Sequence, residues 1–191
     1  MKIVIFTSSR ETEFEEPVFC DRDSVKVDAS KCTGKSISIA PHLAHFAKYL
    51  KNQVVVVDPF ADETHYEADK IIGDVNFSVP DDEIKGAYSV VATKHVYDSW
   101  AITKSLGAGA KAVWVVMSPK RAKVVLKRLV DNGLSKDKLK ALRLPAGLDI
   151  KAENEEEIAL SIIAEIIAYD RGGTGRPLSE IKNTPQLVDS L

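Results

Sequence analysis

The chain has 191 residues, 45% hydrophobic and 28% charged, which is enough for one ordinary core and too few for two comfortable domains. A formal charge of −2 gives no global attraction to a polyanion, so no nucleic-acid partner is expected. Apolar runs such as Val113 to Met117 fall far short of a membrane span, and Met1 to Phe6 is too short for a signal segment, so no membrane partner is expected and the protein reads as cytoplasmic. The two cysteines, Cys20 and Cys32, read as free thiols, because a chain with this core does not depend on a bridge.

Met1 to Phe6 predicts a strand, followed by an exposed loop from Thr7 to Glu16. Pro17 to Cys20 and Ser24 to Asp28 flank Asp21-Arg22-Asp23 and predict a hairpin. Isolated hairpins are marginal in water, so Phe19, Val25 and Val27 predict an arm that packs on its own core or on a second subunit, and a homodimer is expected.

A helix is expected from about Ser38, a favoured N-cap, with Pro41 in the first turn and Leu43, Phe46, Ala47 and Leu50 forming the docking stripe. His42 and His45 lie beside that stripe and read as partly exposed helix residues, since no third metal ligand is near them in sequence. No metal site and no catalytic nucleophile with its base is legible in the chain.

Gln53 to Val57 is a buried-strand run ending in Asp58. An acid at that tip either faces the ribose of a bound nucleotide or ends the strand and turns the chain with Pro59. Asp69 to Ile72 is a weak segment, and Asp81-Asp82-Glu83 suits a helix start or a solvated loop.

Tyr88 to Ala92 predicts the next strand, followed by Thr93, His95 and Asp98, which either contact a ligand or cap and pack against a helix from Trp100 to Leu106. A strand from Ala112 to Met117 leads to Ser118, Lys120 and Arg121, where two cations beside a helix start suit an anionic ligand. Helices are expected from Ala122 to Val130, from Ser135, and from about Asn154, the last with Ile158, Ile162, Ile163, Ile166 and Ile167 as its apolar face. Gly147 and Asp149 are assigned to a tight turn.

The segments Ala92 to Asp98, Ser118 to Ala122, Pro145 to Ile150, Glu156 to Ile162 and Arg171 to Leu178 together resemble the Rossmann domain of the XdhC/CoxI family, the maturation factors of molybdenum hydroxylases. The resemblance spans roughly Ser38 to Ile181 and implies an α/β fold, a Rossmann-like doubly wound parallel sheet with a short N-terminal β arm. The organisation it implies is an arm over 1–34, an XdhC-like Rossmann domain over 35–181 and a tail over 182–191.

By resemblance, the function is to bind a molybdopterin-type cofactor or nucleotide and to act as a cofactor chaperone for the apo-enzyme of a xanthine, aldehyde or carbon monoxide dehydrogenase type hydroxylase. The candidate ligand set, read from the strand ends and from the turn before the first helix, comprises Gly34, Lys35, Ser36, Ser38, Asp58, Thr93, His95, Asp98, Ser118, Lys120 and Arg121.

One departure from the family pattern lies in its glycine-rich turn, whose positions fall on Lys35, Ile37 and Ala40. Only the last stays small, and Ile37 obstructs close approach to a pyrophosphate, which counts against a NAD(P)-dependent oxidoreductase. The same place carries a phosphate-loop pattern, Ala29 to Ser36, with Ala29 where the first glycine should stand. That pattern keeps an ATP-binding alternative open, in which Gly34, Lys35 and Ser36 hold phosphates and Mg²⁺.

Overall fold

The computed structural model describes residues 1–9, 39–61, 66–73, 78–93, 97–182, 186 and 190. The expected hairpin, both cysteines and the phosphate-loop pattern lie outside these residues. Among the described residues, six strands form one sheet: β1 (Lys2–Thr7), β2 (Gln53–Val57), β3 (Lys70–Ile72), β4 (Tyr88–Ala92), β5 (Ala112–Val115) and β6 (Leu142–Arg143). Their order is β3-β2-β1-β4-β5-β6, and every pairing is parallel. The chain winds outward from β1 in one direction and then from β4 in the other, so the two halves diverge at the β1/β4 boundary. This is the topological switch point at which such sheets open a crevice beyond the carboxyl ends of their strands.

Parallel strands need crossover connections, and these place helices on both faces, which explains why the strands are continuous apolar runs. Successive residues of β2 serve opposite faces. Val54 and Val56 join Ile3, Ile5, Val90 and Trp114 beneath α1 (Ala40–Tyr49) and α6 (Glu155–Arg171). Val55 and Val57 join Val4, Phe6, Val91, Val113 and Val115 beneath α3 (Asp98–Gly107) and α4 (Pro119–Asp131). Among the described residues there are also three short helices, α2 (Asp81–Ile84), α5 (Lys136–Leu139) and α7 (Leu178–Ile181).

Several sequence boundaries shift, each for a local reason. The N-cap of α1 is Ile39, one residue after Ser38, with Pro41 inside the first turn, where its missing N–H breaks no intrahelical bond. Helix α4 begins at Pro119 instead of Ala122, because Ser118 is its N-cap and accepts a hydrogen bond from the Arg121 amide at 3.3 Å. Helix α3 begins at Asp98, two residues before Trp100. Strand β5 ends at Val115, two residues short of Met117. The acidic run 81–83 is a single helical turn, and the weak segment 70–72 is the edge strand β3.

Helix α6 starts where its three glutamates predict, with Asn154 accepting from the Glu157 amide at 2.8 Å, and it ends at Gly172 in the left-handed region at φ 69°. Its isoleucines divide by depth: Ile162, Ile163 and Ile166 are buried, while Ile158 and Ile167 are partly buried at the margin. Near its C-terminus, Trp114 packs edge-on to Tyr88 and Tyr169, with centroids 5.8 and 5.5 Å away. The Tyr88 hydroxyl donates to Asp170 at 2.5 Å. Burial, together with that hydrogen bond and the charge of Asp170, pushes the Tyr88 phenol up to about 12.

Two expected outcomes follow from these contacts. Ile162→Ala opens a cavity against the sheet and should lower stability by about 2–5 kcal/mol in urea unfolding. Leu160→Ala, at a position 47% exposed on the same helix, should change it by no more than about 0.5 kcal/mol.

A phenol whose folded pKa is raised contributes stability that is complete below its ordinary value of 10.0 and is lost as pH rises towards about 12. Tyr88→Phe should therefore lose less stability than wild type across that alkaline window. Equal losses in the two proteins would show that Tyr88 is not the group responsible.

Candidate functional site

The carboxyl ends of β1, β2, β4 and β5 converge on one edge of the sheet, and the polar residues that follow them are buried. Thr7, Ser8, Asp58 and Thr93 are each at most 1% exposed, and Asp98 is 2% exposed. Buried charges persist only when hydrogen-bonded or paired, so the partners of these groups define what remains available to a ligand.

Asp58 is fully engaged with its own chain. Its Oδ1 accepts from the Phe60 amide at 3.0 Å, closing an Asx turn, and its Oδ2 accepts from the Ser9 amide at 3.1 Å and the Tyr66 hydroxyl at 2.8 Å. Ser9 Oγ donates in turn to the Phe60 carbonyl at 3.0 Å. The acid at the tip of β2 thus ties the end of β1 to the loop after β2, and both of its oxygens have protein donors.

Tyr97 closes the floor beside it. This side chain is 2% exposed, and its hydroxyl donates to the Thr7 carbonyl and lies 3.1 Å from the Val57 carbonyl, bridging the ends of β1 and β2. Burial holds its phenol well above the ordinary value, and the negative charge of Asp58 adds to the effect. The hydroxyl is therefore a fixed, neutral donor.

On the other side of the switch point, Thr93 Oγ1 donates to Asp98 Oδ1, and Arg121 Nη2 donates to Asp98 Oδ2 at 3.3 Å. One buried carboxylate thereby joins the tip of β4, the first residue of α3 and the first turn of α4. Thr93 and Asp98 do not supply the side-chain cap of α3, whose N-cap is Tyr97 without such a bond.

Arg121 keeps a quarter of its side-chain surface exposed. Lys120, on the preceding position, is exposed, as are Lys123 and Lys127 further along α4, which has no acid in its first turn. The N-terminal end of α4 is therefore a local cationic feature that the net charge conceals, and the helix dipole has the same sign.

The structure thus brings Thr93, Asp98, Ser118, Lys120 and Arg121 together at the ends of β4 and β5. It places Asp58 at the adjacent end of β2, in a separate hydrogen-bond set. Gly34, Lys35, Ser36, Ser38 and His95 lie outside the described residues.

Three participants carried no role in the sequence reading: Ser9, Tyr66 and Tyr97. Tyr97 sits within the segment that carries the family resemblance, but its partners are strand-end carbonyls 40 and 90 residues away in sequence.

The turn at 145–149 is structural. A side chain on Gly147, at φ 102°, would collide with Ser161 Oγ on α6, and the Gly147 amide donates to Glu165 at 2.7 Å.

A sequence model described as the XdhC Rossmann domain matches residues 35–166. Among solved structures, the crystal structure of a xanthine dehydrogenase from Bacillus halodurans superposes with a TM-score of 0.57 at 21% identity. That alignment covers 93% of this chain and 44% of the other, so the chain spans less than half of the protein it matches. No curated protein sequence matches the chain significantly.

Removing the hydroxyl that bridges β1 and β2 tests the floor. Tyr97→Phe leaves the Thr7 and Val57 carbonyls without that donor in a buried place, and should lower unfolding stability by about 1–3 kcal/mol with an unchanged far-ultraviolet spectrum. An unaltered denaturation midpoint would mean that the bridge carries no weight.

Proposed function

The chain belongs to the XdhC Rossmann domain family, and from that membership we propose that it is an accessory protein in the maturation of a molybdenum hydroxylase of the xanthine, aldehyde or carbon monoxide dehydrogenase type. In this reading it holds a molybdopterin-type cofactor, or its nucleotide form, in the crevice beyond β1, β4 and β5 and passes it to the apo-enzyme, with no turnover of its own.

The observation that carries the reading is the Arg121 guanidinium, held by buried Asp98 at the mouth of the crevice with Lys120 and the N-terminus of α4 beside it. A cation whose direction is fixed by a carboxylate is pre-organised for phosphate, and the helix end adds backbone donors of the same polarity. Ser118 retains its hydroxyl proton for a ligand while its oxygen caps α4.

Asp58 serves this site as a scaffold. With three internal donors on a fully buried carboxylate, it is poorly placed to grip a ribose. This supports a ligand mode other than that of an ordinary nicotinamide dinucleotide, in line with Ile37 at the family's second glycine position. Thr93 and Tyr97, whose hydroxyl protons are spent on Asp98 and on the Thr7 carbonyl, hold the crevice floor in place and leave Ser118, Lys120 and Arg121 to meet the ligand.

The direct test is mass spectrometry of small molecules that copurify with the protein from a host that makes the cofactor, followed by fluorescence-quenching titration. A pterin should be recovered. Charge-assisted contacts to phosphate contribute about 1.5–3 kcal/mol each, so Lys120→Ala combined with Arg121→Gln should weaken binding at least about tenfold. Absence of a pterin, together with no quenching by added cofactor at micromolar concentration, would defeat the reading. Stabilisation by ATP with Mg²⁺ that disappears in Lys35→Ala would favour the phosphate-loop alternative instead.

A further inference from the structure

Helices α1 and α6 pack side by side on one face of the sheet. Both run back across it from the edge that carries the crevice, so their first turns lie together at that edge. The side chains there form a group that the nucleotide-type site does not use: His42 on α1, and Glu155 and Glu156 on α6. One ligand atom of each lies within 4.8 Å of the others. We propose that these three residues bind a divalent first-row transition-metal ion. The proposal stands apart from the cofactor reading and does not depend on it.

Three observations carry it. First, one pair of the three already stands at the spacing of two ligands on a shared ion, and the carboxylate of Glu155 lies close enough to join it by a side-chain rotation. His42 Nε2 and Glu156 Oε1 are 3.6 Å apart, longer than a hydrogen bond and close to the edge, about 3.4 Å, of a tetrahedron built on bonds of about 2.0–2.2 Å to a dication.

Second, the carboxylates are not engaged in capping α6. Asn154 accepts from the Glu157 amide at 2.8 Å, and Glu157 Oε2 accepts from the Glu153 amide at 2.7 Å, so N-terminal capping is supplied by other side chains. Among the described residues Glu155 has no ion-pair partner, and the one ion-pair contact of Glu156 is His42.

Third, the donor set mixes one imidazole nitrogen from α1 with two carboxylate groups from α6. That chemistry suits zinc, cobalt, manganese or iron better than calcium or magnesium, which favour all-oxygen sites. Neighbouring His45 is drawn away, with its Nδ1 2.8 Å from Glu67, and serves as an internal control on the same helix.

Three protein ligands leave at least one coordination position for water or for an oxygen of a bound molecule. His42 alone gives no sign of this in the sequence, because its partners lie more than a hundred residues downstream and are brought to it only by the packing of α6 on α1.

The full chain, stripped with chelator and dialysed, should be titrated with Co²⁺ and followed by visible absorption, then by calorimetry with Zn²⁺. One equivalent of Co²⁺ should give ligand-field bands that Zn²⁺ abolishes. His42→Ala and, separately, Glu156→Gln should weaken binding at least about tenfold, while His45→Ala should not. These side chains are at least partly exposed, so the variants should fold, and circular dichroism verifies it. No bands and no heat in the wild type would overturn the proposal. Binding of equal strength in the His42 and Glu156 variants would also overturn it, because the ion would then lie elsewhere.

Discussion

A buried carboxylate needs donors, and the crevice edge of this sheet is built around two of them. Asp58 and Asp98 stand at the tips on either side of the switch point, each nearly or wholly removed from solvent. The cost of burying an unpaired carboxylate far exceeds the net gain from any single hydrogen bond, so the surrounding chain must supply partners or the fold must change. Asp58 recruits the chain after β1 and the aromatic Tyr66; Asp98 recruits Thr93 from just beyond β4 and Arg121 from α4. The two sets fix different things. The first locks backbone to backbone and leaves a rigid floor, whereas the second orients a guanidinium that still reaches solvent.

This division explains how one sheet edge combines rigidity with a cationic mouth. Tyr97 connects the two sets: it immediately precedes Asp98 in the chain, while its hydroxyl reaches the ends of β1 and β2. Its neighbours Phe6 and Trp100 pack edge-on in the same region, with Trp100 6.2 Å from Phe6 and 6.0 Å from Tyr97 between ring centroids. Aromatic packing on the α3 side thus supports the polar floor from below.

The long apolar elements were legible in the sequence, and the short ones were not. Four consecutive valines before Asp58, and the run around Trp114, leave few alternatives to a strand covered on both faces. Edge strand β6 has two residues and β3 has three, too few for any period to register; their pairing depends on neighbours already in place. Helix α4 starts three residues before the expected Ala122, because a proline directly after a serine N-cap is well suited to a helix start.

At the candidate site, residue types were legible but commitments were not. Asp58 at a strand tip fits a ribose contact or a turn equally well until Ser9 and Tyr66, 49 residues before and 8 residues after it, are seen to hold it. The assembly of His42 with Glu155 and Glu156 is hidden for the same reason, since tertiary packing alone creates it.

The central claim is that the buried carboxylates are scaffold and that the mouth formed by the ends of β4 and β5 with the start of α4 is the surface that meets a ligand. Amide chemical-shift mapping during titration with a molybdopterin-type cofactor tests it most directly. The account predicts shifts at saturation that centre on Thr93, Asp98, Ser118 and Arg121, with amides of β3 and of the C-terminal half of α6 unmoved. Shifts confined to those distant elements, or none at saturating cofactor, would contradict it.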